Sequence, residues 1–498
     1  MAATKTAAKA KADGGGTTSH WLILVLLALA QFMVVLDVSI VNVALPAIQQ
    51  AFGMSQTSLQ WIVTAYALTF GGFLLLGGRT ADLFGRRRVF LGGVAVFTLA
   101  SLACGVAQSE AWIIIARGLQ GLAGAFMSPA ALSIILVTYK EGHERNVALS
   151  VWGAVASGGA AVGVLLGGIL TQYLDWRWNF FVNVPVGLLV IFAALKILDR
   201  HESKLEHNNL DLWGAVLGTG GLVTLVYALV KAPVNGWTSE TSLIFFGISL
   251  AALTAFIINE KRVKHPLMPL HIFKNRNLAA ADLLMLCMAA GMFSIFFFTT
   301  LYLQHVLGYT PIKTGVSFLI VPFAVVLTAT NVPRLIKRIG YKPILMVAPL
   351  VVSGGLFWLS HIPVDGTFWG DVAPGMILLG LGMGATFVSA TIAATSGVPH
   401  HESGLASGIL NTSQQVGGAL GLAVLAGIAT SAATRYVNNL DLAGSPTQHQ
   451  LAAGAVHGFH EGYLIASTFG IVAALIATFM IKQQKVKGDI KPADIIGA

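Results

Sequence analysis

The stretch GRTADLFGRRRVFL, residues 78–91, crowds four arginines and an aspartate between two long apolar runs, and a related stretch, PRLIKRIGYKPIL at 333–345, returns later in the chain. Aligned on Gly85 and Gly340, Arg79 matches Arg334 and Arg87 matches Lys342, an offset of 255 residues. Within one residue, the same offset lays VGVLLG (162–167) on VGGALG (416–421). Self-similarity at a fixed offset marks two like units in one chain.

What those units are follows from composition. The 498 residues are 55% hydrophobic and 10% charged, with a mean hydropathy of +0.76, too apolar for a surface that must meet water. Uncharged runs such as Gly118–Tyr139, Asn146–Leu174, Leu283–Ile312 and Ser403–Thr434 exceed the roughly 20 residues a helix needs to cross a bilayer. Fourteen spans are predicted, at 21–45, 56–77, 89–108, 111–138, 146–170, 179–198, 210–230, 241–260, 278–306, 313–333, 342–361, 371–397, 404–430 and 461–482. Barrel strands would show about ten residues of alternating polarity. No such alternation appears, so the fold class is an all-α polytopic membrane protein.

The basic residues test this order, because cytoplasmic loops retain them. With the N-terminus inside, 25 of the 30 fall in inside segments, Arg177, Lys231, Lys313 and Arg435 fall outside, and Arg117 lies within a span. Both termini are therefore expected to be cytoplasmic. The net charge of +9 is this topological bias, and a nucleic-acid partner is not implied.

The repeat sets spans 1–6 against spans 9–14 in the same orientation, two six-helix bundles with two extra central helices between them. The expected division is a cytoplasmic tail (1–20), a first bundle (21–198), a linker with two extra spans (199–277), a second bundle (278–482) and a second tail (483–498). Two like-oriented bundles form a cleft near the midplane, and rocking one against the other opens it to each side in turn. That is a transporter, not an enzyme. No GxxxxGK[ST] phosphate loop occurs, which disfavours ATP as driver. Cys104 and Cys287 fall inside spans and give neither a disulfide framework nor a metal set. No cofactor and no metal are expected.

Charge inside the membrane is the sharpest signal. LDVSIVNVALP (36–46) buries Asp37, and IARGLQGLAGA (115–125) buries Arg117. Such residues persist when they face the bundle interior or a wet cavity. Asp37 precedes Pro46 by nine residues, about 13 Å along a helix, and Arg117 follows Glu110 by seven, about 10 Å. At such similar depths spans 1 and 4 can pair them; the other reading of Arg117 is a side chain snorkelled to the outer interface. A nearby arginine favours an ionised carboxylate and dehydration favours the neutral acid, so the balance can change as a cleft opens and closes.

GAVASGGAAVGVLLGG (153–168) places Gly159, Gly163 and Gly167 on one smooth stripe where another helix can approach. In the 78–88 loop, Gly78 and Gly85 allow tight packing and a sharp turn, while Asp82 can accept from Arg86 or sit at a neighbouring helix N-terminus. The alternative is a basic loop that serves topology alone. Weaker candidates for substrate contact are Gln120, Asp282, Phe297, Tyr302, and Asn411 and Gln415 of the NTSQQ run. Most of the aromatic run from Phe293 to Tyr302 is expected to face lipid, and residues 431–458 are expected to form a flexible exterior loop.

Together with WRWNFFVNVPVG (176–187), these motifs resemble the fourteen-helix drug:proton antiporters of the major facilitator superfamily, from about Trp21 to Met480. The resemblance implies a proton-coupled exporter of organic, amphipathic or cationic compounds in a cell membrane, driven by the proton gradient and of the antibiotic-resistance type, with lipid, protons and a small organic substrate as its partners; a monomer is the expected state, though nothing in the sequence fixes it. It implies a coupling and cation-recognition role for Asp37, tuned by Arg117. It also implies a cytoplasmic latch in which Gly78, Arg79, Asp82, Gly85, Arg86 and Arg87 meet the helix beginning near Ser403 and Gly404. One departure stands out: a Gly-Pro is usual where this chain has Gly163-Val164, removing an expected kink and weakening the antiporter assignment. The alternatives are an importer or uniporter of a small metabolite, a channel, or a non-transporting sensor on the same fold.

Overall fold

A computed structural model describes residues 3–139, 143–198, 211–398, 402–440 and 445–483. Residues 140–142, 199–210 of the linker, 399–401, 441–444 and most of the predicted C-terminal tail lie outside the described residues, with Lys140, Arg200, Lys204, Lys485, Lys487 and Lys491 among them. Among the described residues there are no strands, and fourteen helices are long and apolar enough to cross a membrane. They are α1 (His20–Phe52), α2 (Gln56–Phe84), α3 (Arg86–Gly105), α4 (Glu110–Thr138), α5 (Val147–Tyr173), α6 (Trp178–Ile197), α7 (Leu212–Ala232), α8 (Glu240–Arg262), α9 (Arg276–Val306), α10 (Pro311–Ile339), α11 (Tyr341–Leu359), α12 (Phe368–Thr395), α13 (Gly404–Asn438) and α14 (Gln448–Phe479).

The punctuation between helices is written in small polar residues and glycine. Ser55, Ser109, Ser239 and Thr447 stand at the N-caps of α2, α4, α8 and α14, each side-chain oxygen accepting from a first-turn backbone N–H. The α2–α3 and α10–α11 junctions each turn on a single glycine, Gly85 at φ +96° and Gly340 at φ +83°, a conformation glycine adopts at little cost. These are the two glycines on which the sequence repeat aligns.

The packing repeats as well. In α1–α6, α2 lies along α4, α1 along α5, and α3 along α4 and α6; in α9–α14, α10 lies along α12, α9 along α13, and α11 along α12 and α14. Each pairing recurs eight helices later. Between the bundles, α2 runs along α13 and α5 along the start of α10, with a lighter contact of α1 on α9. Polar ties Gln304 Nε2 to the Val43 carbonyl (2.9 Å), the Ile312 N–H to Gln172 Oε1 (3.2 Å) and Thr430 Oγ1 to Gln56 Oε1 (3.3 Å) all lie towards the face opposite the 78–88 loop. A further tie, from Thr412 Oγ1 to the Gly71 carbonyl at 3.2 Å, lies deeper.

Small residues set these approaches, since lipid supplies little hydrophobic drive for one helix to prefer another. A Cβ at Gly315 of α10 would stand 2.3 Å from the Val164 carbonyl of α5, and one at Gly71 of α2 would stand 2.6 Å from Gln415 Cβ of α13. The extra helices α7 and α8 pair with each other, and α7 packs into the α2–α13 seam, where Val226 and Val230 meet Ala67, Leu68, Ala419 and Ala423. At their end near the 78–88 loop, Asn259 Nδ2 donates to both oxygens of Asp211 at 2.8 Å, and the Met268 N–H donates to Glu260 Oε2 at 2.8 Å.

Three sequence expectations are corrected. α1 runs through Pro46 to Phe52, because proline is tolerated in a spanning helix whose neighbours re-satisfy the freed backbone. The 431–458 stretch is not one loop: among its described residues α13 continues to Asn438 and α14 begins at Gln448, fixed by a capping box between Thr447 and Gln450. Its many Ala, Gly and His residues lower the hydropathy of the first turns of α14, yet Gly454 and Gly458 pack them against Val437 and Ala429 of α13. The aromatic run does not face lipid either. Phe297, Phe298 and Tyr302 are buried; Phe298 meets the tilted ring of Phe459 and the edge of Tyr463 on α14, and Tyr302 donates to the Pro363 carbonyl at 2.6 Å.

Candidate functional site

Asp37 stands roughly midway along α1, deeper than a helix ending at Pro46 would place it, and the side chain is fully buried. Arg117, one and a half to two turns or so into α4, extends its long side chain to meet it. Arg117 Nη1 donates to Asp37 Oδ2 at 2.6 Å and to Gln120 Oε1 at 2.8 Å, and its Nε donates to the Ile62 carbonyl of α2 at 3.0 Å. At 2% exposure, this guanidinium is not snorkelled to an interface.

The other carboxylate oxygen, Oδ1, accepts from Gln120 Nε2 at 2.7 Å and from Asn183 Nδ2 of α6 at 2.8 Å. Both amides also reach Ser101 Oγ of α3, at 3.2 and 3.0 Å, and Ser101 donates to the Phe180 carbonyl at 2.9 Å. The Tyr66 ring lies 4.3 Å from the guanidinium carbon, a cation–π distance. One carboxylate thus gathers donors from α4 and α6, themselves held by α2 and α3. The arrangement compensates a buried ion pair, which is costly unless every remaining polar site is met.

Asn183, Ser101 and Tyr66 carry no signal of their own in the sequence. Asn183 sits in the quoted 176–187 motif, where its spacing from Asp37 says nothing; Ser101 is one small polar residue in an apolar run. Only the folded bundle brings them together. Gln120, a weak candidate for substrate contact, belongs to this network.

The glycine stripe of α5 backs the same turn of α1. A Cβ at Gly159 would stand 3.2 Å from Val35 Cβ, at Gly163 2.7 Å from Ser39 Cβ and 3.0 Å from the Leu36 carbonyl, and at Gly167 2.7 Å from the Ile40 carbonyl. The neighbouring face of α5, at Val164 and Gly168, meets Pro311 and Gly315 of the other bundle. α5 therefore touches the Asp37-bearing segment on one side and the second bundle on the other, and it is helical straight through the Gly163-Val164 site.

The 78–88 stretch, expected as a loop, is helical on both sides of Gly85, because α2 continues to Phe84 and α3 begins at Arg86; across this one-residue turn Asp82 accepts from Arg86 Nη2 at 3.2 Å, and Arg87 Nη2 donates to the Leu195 carbonyl at 3.1 Å. The close approach credited to Gly78 belongs instead to Gly77: a Cβ at Gly77 would meet the Ala125 carbonyl at 2.1 Å, whereas at Gly78 it would find ordinary contact with Pro129 at 3.7 Å. α2 packs on α13, whose first turn holds Gly404. Arg79 lies on α2 one turn before Asp82. Asn411 bonds back to its own helix at the Ser407 carbonyl (3.3 Å), and Gln415 faces Gly71 across the seam between bundles. Asp282 is buried on α9, away from the Asp37 network's donors. No group of three or more potential metal ligands occurs among the described residues.

The same arrangement of helices occurs in solved transporters. A POT family peptide transporter in an auto-inhibited form aligns with a TM-score of 0.69 at 14% identity, covering 95% of this chain and 99% of that one, and a bacterial homologue of the lysosomal transporter Spinster aligns at 0.65 and 15%. These likenesses concern the fold alone. In sequence, the puromycin resistance protein pur8 of Streptomyces alboniger is 39% identical over 97% of this chain and 95% of its own length. The cephamycin export protein CmcT of Amycolatopsis lactamdurans is 39% identical over 82% and 85%. The family model described as Major Facilitator Superfamily matches residues 27–422, a stretch holding the Asp37 network, the 78–88 loop and α9. The chain is a multi-pass membrane transporter that belongs to the Major Facilitator Superfamily.

Proposed function

We propose that this protein exports organic, amphipathic or cationic, drug-like compounds by antiport with protons, the 78–88 loop facing the cytoplasm. The observation that carries the reading is the closed network around Asp37, a buried carboxylate whose charge is held by donors on separate helices and can change only if those helices move. The relatives named for resistance and export support the direction of transport.

The cycle follows from the packing. With the ties at Val43–Gln304, Gln172–Ile312 and Gln56–Thr430 made, the bundles are closed at the outer face and Asp37 is bound by Arg117, Gln120 and Asn183. Rocking that breaks those ties moves α1 relative to α4 and α6, and loosening either donor leaves the carboxylate ready to accept a proton from outside. The α5 glycine stripe lets α1 slide, and the 78–88 loop, with its Asp82–Arg86 pair, closes the cytoplasmic side against α13. One proton crossing 100 mV supplies about 2.3 kcal/mol.

Proteoliposomes loaded with a pH dye test this. The wild-type protein is expected to move protons in response to added substrate, and Asp37→Asn to abolish that movement while still inserting and folding. Normal proton movement in Asp37→Asn would remove the coupling role, and substrate flux unaffected by a pH gradient would leave a uniporter.

A further inference from the structure

Where the α7–α8 hairpin meets the segment leading to α9, two acids are buried side by side. Asp211 caps the start of α7 and Glu260 stands in the last turn of α8, 5% and 4% exposed. Asp211 has its donors, the Gly214 N–H and Asn259 Nδ2, each at 2.8 Å. Glu260 is met on one side only: Oε2 accepts from the Met268 N–H at 2.8 Å, and Oε1 has no donor. What lies within hydrogen-bond reach of Glu260 is the Asp211 carboxyl. Both acids turn towards the bare Cα of Gly214, where a Cβ would stand 2.4 Å from Asp211 Oδ2 and 2.7 Å from Glu260 Oε1.

No cation offsets the pair. The charged groups on the surrounding elements are Lys261 and Arg262 of α8, Lys264 and His265 of the following segment, and Arg79 and Asp82 of α2. Among the described residues none of the basic ones forms an ion pair with either acid, and Asp82 is bonded to Arg86. α13, the other neighbour of α7, carries no ionisable side chain from Ser403 to Thr434. Two carboxylates buried in contact do not both stay ionised, so one proton belongs between them.

What the pair holds is a strap between the bundles. Beside Met268, Leu267 is buried against Leu76 of α2 and Ala215 of α7, with Phe73 of α2 and Phe126 of α4 packed around it. Five residues on, Ile272 is buried, His271 Nε2 lies 3.2 Å from Glu402 Oε1 before α13, and Asn275 Nδ2 donates to the Ser396 carbonyl after α12 at 3.2 Å. Bundles that part on the 78–88 face must stretch this short segment or free one anchor.

We propose that Asp211 and Glu260 share one proton and so form a pH-sensitive latch, which holds the 263–268 strap on the first bundle and restrains opening of the 78–88 face. With the proton in place the acids form one hydrogen-bonded unit, and Glu260 keeps Met268. Without it the two charges repel, Glu260 turns to water and the Leu267 anchor loosens. Latched acids bind the proton more tightly than the same acids in water, so the latch holds as pH falls and lets go as pH rises. The inference goes beyond the export reading and depends on neither the direction nor the coupling of transport.

The test is hydrogen exchange of the purified full-length protein in EDTA, which keeps metal ions from standing in for the proton. Rates in the Val263–Leu270 peptide are corrected for the intrinsic effect of pH. Wild-type protection is expected to fall at least tenfold between mildly acidic and mildly alkaline buffer. Glu260→Gln and Asp211→Asn each supply the shared hydrogen permanently, and should keep the wild-type acid value within threefold at both ends. Spin labels at the exposed positions Val137 of α4 and Ile339 of α10 should stand farther apart in alkaline buffer in the wild type and not in Glu260→Gln. A flat wild-type profile overturns the latch, as does a full pH response in either variant or an absence of protection from both. A label distance that ignores pH, or follows it equally in Glu260→Gln, overturns the restraint on opening.

Discussion

The two bundles share one packing scheme and treat charge in opposite ways. In the first, Asp37 is met by Arg117, Gln120 and Asn183 and lies fully enclosed; in the second, Asp282 of α9, the counterpart of α1, is buried without an arginine or a comparable set of donors. Duplicated architecture therefore does not duplicate chemistry. A paired charge resists change until its partners move, whereas an unpaired one responds to whatever arrives.

The comparison breaks most readily at Arg117. Arg117→Gln leaves Asp37 buried with amides alone, and removing one partner of a buried pair costs about 3–5 kcal/mol. Transport is expected to be lost and the melting temperature of the purified protein to fall well below that of wild type. Asp37→Asn combined with Arg117→Gln should recover much of the stability and none of the coupling, a non-additivity read by a thermal double-mutant cycle. Simple additivity would mean that the two side chains do not act as a pair.

A smaller effect is expected at the α1–α5 contact. Gly163→Leu must push Ser39 and the Leu36 carbonyl away, an overpacking of about 1–3 kcal/mol that also displaces the turn bearing Asp37. Transport should fall more than stability does, as seen in substrate efflux rate against melting temperature. Equal losses would reduce the stripe to scaffold. The smallest effects probe the repeat itself. Gly85→Ala and Gly340→Ala both place a side chain at positive φ, a strain of about 1 kcal/mol, but the alanine at 340 also collides with Gln483. Thermal melts should place both variants below wild type, and adding Gln483→Ala to Gly340→Ala should recover the part of the loss that the collision causes.

Much of this was legible in the sequence because bilayer thickness and the retention of basic residues act on local strings. The fourteen helices, the Gly85–Gly340 repeat and the possibility of an Asp37–Arg117 pair needed no tertiary information, although the equal depth read from Pro46 did not hold, because α1 continues to Phe52 and the length of the arginine side chain makes up the difference. Asn183 and Ser101 did, since a donor set converging from different helices leaves no spacing along the chain. The aromatic run failed for another reason: lipid and bundle interior are equally apolar, so Phe297, Phe298 and Tyr302 read alike in either setting. The first turns of α14 were misread because their small residues look loop-like until α13 is placed against them.

The α7–α8 hairpin leaves the two flanks of the molecule unlike. Without it, the seams α2–α13 and α5–α10 would be related by the pseudo-twofold and equally open to the bilayer. With α7 lying in the first, a greasy molecule dissolved in the membrane meets a sealed wall on one side, and its lateral path toward the space between bundles is restricted to the other. Because the insertion is an even number of helices, this handedness is added without inverting the second bundle.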